Sequence, residues 1–238
     1  MCFPDGSLAP RAPFAGPAGT DRALSLTAAD GTVLMAHEAR AATPSGVGFV
    51  VLPDIRGLHA YYRELTVRLA ECGWDAVAID YFARTAETED RSDAFDWQSH
   101  IPLTTPEGIA ADVQAAVAHL DVPTVFTVGF CFGGSFSWRQ SVDTPGLAGC
   151  VGFYGRPERV GTDLAGMSAP LLLLHAGADP HIPTAEVEAL AAAVPVEAEL
   201  HVFDGMPHSF FDRTAPEHAA ECDRAWELIR GFVGLQSS

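Results

Sequence analysis

The stretch "TVGFCFGGSF", residues 127–136, decides how the chain is read. An apolar, strand-like run ends at Gly129 and a helical pattern starts near Gly133, which leaves Cys131 on the tight turn between them. Glycines two places before and two places after the cysteine let the backbone reverse without side-chain clash. The start of the helix brings partial positive charge beside the sulfur, an environment that favours thiolate. Cys131 is therefore a candidate nucleophile, although a free cysteine is more often a small buried hydrophobe. The ordinary reading is kept for Cys72, Cys150 and Cys222, which fall within helix or strand patterns.

Working outward, "ALSLTAADGTVLMAHEA" (23–39) has two alternating stretches around Asp30-Gly31, a hairpin signal. Short apolar runs at 46–54, 75–80, 124–130, 149–154, 169–176 and 198–204 end in turn residues, as strands covered on both faces do. Helical patterns alternate with them, at "YYRELTVRLAECG", "PEGIAADVQAAVAHL", "GSFSWRQSV", "TAEVEALAAAV" and "PEHAAECDRAWELIRGFV". The alternation predicts an α/β protein with a mostly parallel, twisted sheet of about eight strands and helices on both faces. One domain is expected over 21–238, preceded by an irregular Pro/Gly/Ala-rich arm over 1–20. The polar stretch 85–105 is the longest interruption and is a candidate cap over a site.

Composition narrows the function classes. A net charge of −17 repels phosphate backbones and anionic lipid surfaces, so neither nucleic acid nor membrane is an expected partner. All 14 basic residues are arginines, so any cationic contact to a substrate must be made by a guanidinium. The five cysteines are widely spaced, with no C-x-x-C pair and no Cys/His cluster of zinc spacing, so no disulfide, metal or cofactor is expected. The N-terminus lacks a basic start followed by an apolar stretch, and Cys2 follows Met1 directly, which sets aside a lipoprotein signal. A cytoplasmic, reducing location is the expectation.

Two later loops complete a catalytic pattern. Asp179 follows the run "LLLLHA" in a Gly-Ala-Asp turn, and His208 follows "AELHVFD" on the way to the last helix. Nucleophile, acid and histidine in that chain order, each after a later strand, are a triad arrangement for acyl transfer. Asp204 is a rival acid but ends a strand only four residues before His208, and Asp179 is preferred. His181 is expected at the site mouth, and His175 and His201 packed in strands. His37, His59, His100, His119 and His218 have no motif around them.

Four segments, "LPDIRGLHAYYRELTVRLAECGWDAVAIDYFAR" (52–84), "VGFCFGG" (128–134), "AGADPHIP" (176–183) and "GMPHSFFDR" (205–213), resemble the dienelactone hydrolase family, cysteine-dependent members of the α/β-hydrolase fold. The resemblance covers nearly all of the chain beyond residue 20. It implies Cys131 as nucleophile, His208 as general base and Asp179 as its orienting partner, with the backbone N–H groups of Phe132 and Ile55 as the oxyanion hole. At the end of the third strand the family holds an acidic residue, usually glutamate, that helps activate the thiol; this chain has the shorter Asp54. Two arginines receive the substrate carboxylate in that family. Arg84 matches the first, whereas the second position holds Asp212, with Arg213 one step on. The implied activity is hydrolysis of small esters or lactones. Rival readings are a thioesterase or acyltransferase with the same triad, a non-catalytic binding protein on this scaffold, and a redox-sensing Cys131 resolved by Cys150.

Overall fold

The structure, a computed structural model, describes residues 6–17 and 19–237; Cys2, the rest of residues 1–5, Ala18 and Ser238 lie outside them. The chain opens with an antiparallel pair, β1 (Thr20–Thr27) and β2 (Val33–Arg40). Their connection holds Asp30, whose carboxylate accepts the Thr32 N–H at 3.0 Å, and Gly31 at φ +84°, a value that side chains disfavour. There follow β3 (Val47–Leu52), α1 (Ala60–Glu71), β4 (Asp75–Ile79), the single turn α2 (Trp97–His100) and α3 (Pro106–Leu120). Next come β5 (Thr124–Phe130), α4 (Phe132–Asp143), β6 (Gly149–Phe153), β7 (Leu171–Ala176), α5 (Thr184–Ala193), β8 (Ala198–Phe203) and α6 (Ala219–Gln236).

The eight strands form one sheet in the order β1-β2-β4-β3-β5-β6-β7-β8. Only the first two pairings are antiparallel, and from β4 to β8 the strands run parallel. Alternate side chains of these strands enter two cores, because successive residues of a strand point to opposite faces. Phe49, Phe126, Phe130, Leu172 and Leu174 pack with Tyr61, Tyr62 and Leu65 of α1 and Trp226, Ile229 and Phe232 of α6. Val50, Leu52, Leu171 and Leu173 pack on the other side with Ile109 and Val113 of α3, Phe136 and Trp138 of α4 and Val187 of α5. Full burial of such a side chain stabilises the fold by roughly 1.5–3 kcal/mol. Among the described residues, no helix is long and apolar enough to cross a membrane.

The register brings the carboxyl ends of the strands level. Leu52 pairs with Gly129, Phe130 with Phe153, Phe153 with Leu174, and Ala176 with Phe203. Residues just beyond these positions therefore share one rim. After β3 the chain steps to β4 on one side and then crosses to β5 on the other, so a crevice opens at the ends of β3 and β5.

Two irregular segments are clamped to this frame. In the arm, the Ser7 hydroxyl and Leu8 N–H donate to Asp212 at 2.5 and 3.1 Å, Ala9 N–H donates to Glu64 at 3.0 Å, and the Trp226 indole donates to the Pro10 carbonyl at 3.2 Å. The 85–105 stretch contains α2 and a 3-10 turn at Ile101–Leu103. It is anchored by Arg91, whose guanidinium donates to both oxygens of the buried Asp80 at 2.8 and 2.9 Å and lies 4.2 Å from the Phe95 ring centroid.

Candidate active site

Cys131 takes φ +54° and ψ −110°, a conformation that costs a non-glycine residue about 1–3 kcal/mol and persists only where the surroundings impose it. Here they do. A Cβ on Gly133 would lie 2.1 and 2.2 Å from the carbonyl oxygens of Leu52 and Pro53, and one on Gly129 would lie 1.9 Å from the carbonyl of Gly133. Only glycine lets the turn nest this closely against β3. The Cys131 N–H donates to the Phe153 carbonyl at 3.0 Å, and Ser135 N–H closes the first helical turn on the Cys131 carbonyl at 3.2 Å. The partly buried thiol thus sits at the N-terminus of α4, a 12-residue helix whose dipole favours negative charge there. Phe132 opens that helix, so its N–H is among those a helix leaves without an internal acceptor.

His208 lies on the loop after β8. Its Nδ1 is 2.5 Å from Oδ2 of Asp179, whose side chain is fully buried, and Oδ1 of Asp179 accepts the His181 N–H at 2.8 Å. With Nδ1 engaged, Nε2 is left for the thiol, and the imidazole hydrogen-bonds Cys131. Burial alone would push this imidazole down, but the hydrogen bonds from Asp179 and Cys131 and their charges outweigh it and raise it to about 9. Burial likewise works against the Asp179 carboxylate, yet the His208 and His181 contacts hold it below the ordinary carboxylate range. Tyr154, at φ +36° at the end of β6, packs its buried ring with its centroid 4.7 Å from that of His208. A thiol, an imidazole and a carboxylate in series can move a proton off sulfur and hold it on the ring.

A family model described as the dienelactone hydrolase family matches residues 36–235. The chain belongs to this family. It is a hydrolase. Among its relatives, the carboxymethylenebutenolidase of Rhodococcus opacus is 30% identical over 207 residues, which cover 80% of this chain and 81% of that protein. A candidate carboxymethylenebutenolidase of Escherichia coli strain K12 is 28% identical over 202 residues, 76% of this chain and 73% of the relative. The solved structure of a candidate dienelactone hydrolase from Klebsiella pneumoniae subsp. pneumoniae MGH 78578 superposes with a TM-score of 0.75 at 22% identity, over 91% of this chain and 99% of that one.

Within this dienelactone hydrolase relative, the residues expected to touch the substrate are differently engaged. Arg84 donates through Nε to Asp30 at 2.8 Å and through Nη1 to Asp112 at 2.8 Å, not to the acidic 87–96 stretch. Burial pushes the Asp112 carboxyl up to about 6 even with Arg84 beside it. Arg213 donates to Glu64 of α1 at 2.8 Å and its side chain is 43% exposed. Asp212 is buried and faces the arm. Asp54 is also buried; its carboxylate accepts the Arg56 backbone N–H at 2.9 Å and the Arg56 guanidinium at 3.1–3.2 Å. The expected thiol activator is thus closed on an arginine two residues away.

Other expectations are settled by position. Asp204 is exposed, and among the described residues Asp179 is the carboxylate that pairs with the His208 ring. His181 is exposed with its ring 6.4 Å from that of His208, at the rim as expected. His37, His59, His119 and His201 have partners of their own in Thr66, Asp93, Glu38 and Glu199. Cys150 is fully buried in the core under α3, α4 and α5, whereas Cys131 packs toward the opposite core, and burial pushes the Cys150 thiol up to about 12. A buried, protonated thiol across the sheet is a poor resolving partner, which removes the basis of the redox reading. Among the described residues no three His, Cys, Asp or Glu side chains are grouped to hold a metal ion. Tyr154, Tyr81 and Arg56 had no signal in the sequence beyond their place after strands. Tyr81 donates to the Pro53 carbonyl at 2.8 Å and so steadies the backbone that carries the Ile55 N–H.

Proposed function

We propose that this hydrolase cleaves small esters or lactones through an acyl-cysteine intermediate. Cys131 is the nucleophile, His208 the base and then the acid, and Asp179 the partner that orients the imidazole. The observation that supports the reading is the His208 imidazole bonded through Nδ1 to Asp179 at 2.5 Å, with Cys131 close enough to raise the same ring.

The thiol proton passes to Nε2 of His208, and the thiolate adds to the substrate carbonyl. The N–H groups of Phe132 and Ile55 donate hydrogen bonds to the oxygen on which negative charge develops; one such donor is worth about 2.7–4 kcal/mol in comparable sites. As the carbon–oxygen bond breaks, imidazolium returns the proton to the leaving alkoxide, which in a lactone remains tethered to the acyl group. Water then gives a proton to His208 and attacks the thioester, and sulfur leaves. The N-terminus of α4 favours the thiolate in the first and last steps. Lactones stand beside esters because the Rhodococcus opacus relative is a carboxymethylenebutenolidase, an enzyme named for an unsaturated lactone.

The test is turnover of 4-nitrophenyl acetate and of a dienelactone by the wild type and by Cys131→Ala. The expected loss in kcat is on the order of 10⁴-fold or more on both substrates. Equal rates in the two proteins would end the reading.

A further inference from the structure

In the loop from β3 to α1, the backbone N–H groups of residues 56–59 are all engaged within the protein. The Arg56 N–H donates to Oδ1 of Asp54 at 2.9 Å, and the Gly57 N–H donates to the Asp54 carbonyl at 3.1 Å. The Leu58 N–H donates to Oδ1 of Asp80 at 3.1 Å, and the His59 N–H donates to the Gly57 carbonyl at 2.6 Å. Among the described residues no acceptor meets the N–H of Ile55, which stands inside the same turn. The Ile55 side chain packs against both cores and so anchors the residue at the rim.

Arg56 closes this turn through its side chain. Its Nε donates to both oxygens of Asp54 at 3.2 Å and its Nη2 donates to Oδ2 at 3.1 Å, and both residues are buried. Backbone and side chains thus form a small ring around Ile55, the residue between the two. Both flanks of the ring are held as well. On one, the Tyr81 hydroxyl donates to the Pro53 carbonyl at 2.8 Å. On the other, the 85–105 stretch reaches in: Arg91 holds the Asp80 that receives Leu58, and Asp93 lies 4.0 Å from Arg56 and 3.1 Å from His59.

A buried ion pair adds little net stability, because the desolvation of both charges offsets their attraction and an apolar pair of the same volume often does as well. What the pair does supply is a single conformation. The guanidinium fork fixes the plane of the Asp54 carboxylate, and that carboxylate fixes the Arg56 N–H, so the intervening peptide groups cannot turn. An oxyanion donor demands such rigidity, since it acts only at about 2.7–3.1 Å from the charged oxygen and loses effect when displaced by about 0.5 Å. We propose that Arg56 is a positioning residue: by closing on Asp54 it holds the turn that presents the Ile55 N–H to the carbonyl oxygen of the substrate. The proposal rests on the hydrolase reading above.

Two variants and two rates test it. Asp54→Leu combined with Arg56→Met removes the pair while filling its volume, and Arg56→Lys keeps the charge without the fork. The first rate is acylation of Cys131 by saturating 4-nitrophenyl acetate, which needs the oxyanion donors. The second is alkylation of Cys131 by iodoacetamide, followed by the mass of its peptide, which needs only the thiolate. Acylation is expected to fall by about 10- to 100-fold in the double variant and by less in Arg56→Lys, with KM and the alkylation rate within about threefold of the wild type. Acylation at the wild-type rate in the double variant overturns the proposal. So does a parallel fall of both rates, which would make the pair an activator of the thiol. If the double variant does not fold, Arg56→Lys decides on the same two rates. Failure of the hydrolase reading shows separately, as acylation that persists in Cys131→Ala.

Discussion

Two carboxylates with fully buried side chains sit at the same rim, Asp179 after β7 and Asp54 after β3, and their partners make them opposites. Asp179 meets an imidazole. That ring uses Nδ1 on the carboxylate and keeps Nε2 open, so in the proposed chemistry the pair can take up and release a proton at the Cys131 sulfur. Asp54 meets a guanidinium, which does not release its proton at any working pH, and the Arg56 backbone N–H adds a further bond. A buried acid at a catalytic rim is thus a proton device or a structural clamp according to the base it faces, and nearness to the nucleophile does not decide between them.

Substitutions that keep shape and remove charge sharpen this contrast. The largest effect is expected from Asp179→Asn. It should lower kcat by on the order of 10³–10⁴-fold, because an amide favours the wrong tautomer and no longer stabilises imidazolium. Stopped-flow and steady-state rates on 4-nitrophenyl acetate check this, and a loss below tenfold would make Asp179 a bystander. The next effect is on stability. Asp54→Asn removes the buried carboxylate that faces Arg56, leaving Asp93 at 4.0 Å as a weaker countercharge, and should cost roughly 3 kcal/mol in urea unfolding, with recovery when Arg56→Met accompanies Asp54→Leu. If Asp54→Asn instead unfolds like the wild type while single-turnover acylation slows, Asp54 acts on the thiol and the contrast fails. The smallest effect is in the pH profile. Imidazolium must protonate the leaving alkoxide, so kcat/KM should fall as pH rises through about 9, and the residual activity of Asp179→Asn should fall at lower pH. The same shift gives a stability term that is complete below the ordinary histidine range and is lost as pH climbs through about 9.

Local signals carried much of the fold. β5 and α3 occupy the residues read as strand and helix, Thr124–Phe130 and Pro106–Leu120. Their boundaries are marked by chemistry within a few residues: Pro106 at the first helical position, and a Thr105 hydroxyl that accepts the Gly108 N–H at 3.1 Å. The last helix starts three residues later than its pattern, because Pro216–His218 form a 3-10 turn ahead of Ala219. The series Cys131, Asp179 and His208 was legible for a similar reason, since each follows a strand and parallel strands deliver their ends to one rim. What the arginines do was not. Arg84 is neutralised by Asp30 and Asp112, and Arg213 by Glu64, partners brought from distant parts of the chain by tertiary packing. The Asp54 and Arg56 pair is local, yet an Asp-x-Arg spacing carries no distinctive pattern until burial turns it into a closed ion pair. Tyr154 gains its position from the His208 ring, which comes beside it only in space.

The most direct test of covalent thiol chemistry is to quench the enzyme with acid within milliseconds of mixing with excess 4-nitrophenyl acetate and to map the acetyl group by peptide mass. The account predicts a nitrophenol burst close to one per protein molecule, with the added mass on the peptide that contains Cys131 and no burst in Cys131→Ala. An acetyl group carried to catalytic turnover on any other side chain, or an undiminished burst in Cys131→Ala, would contradict it.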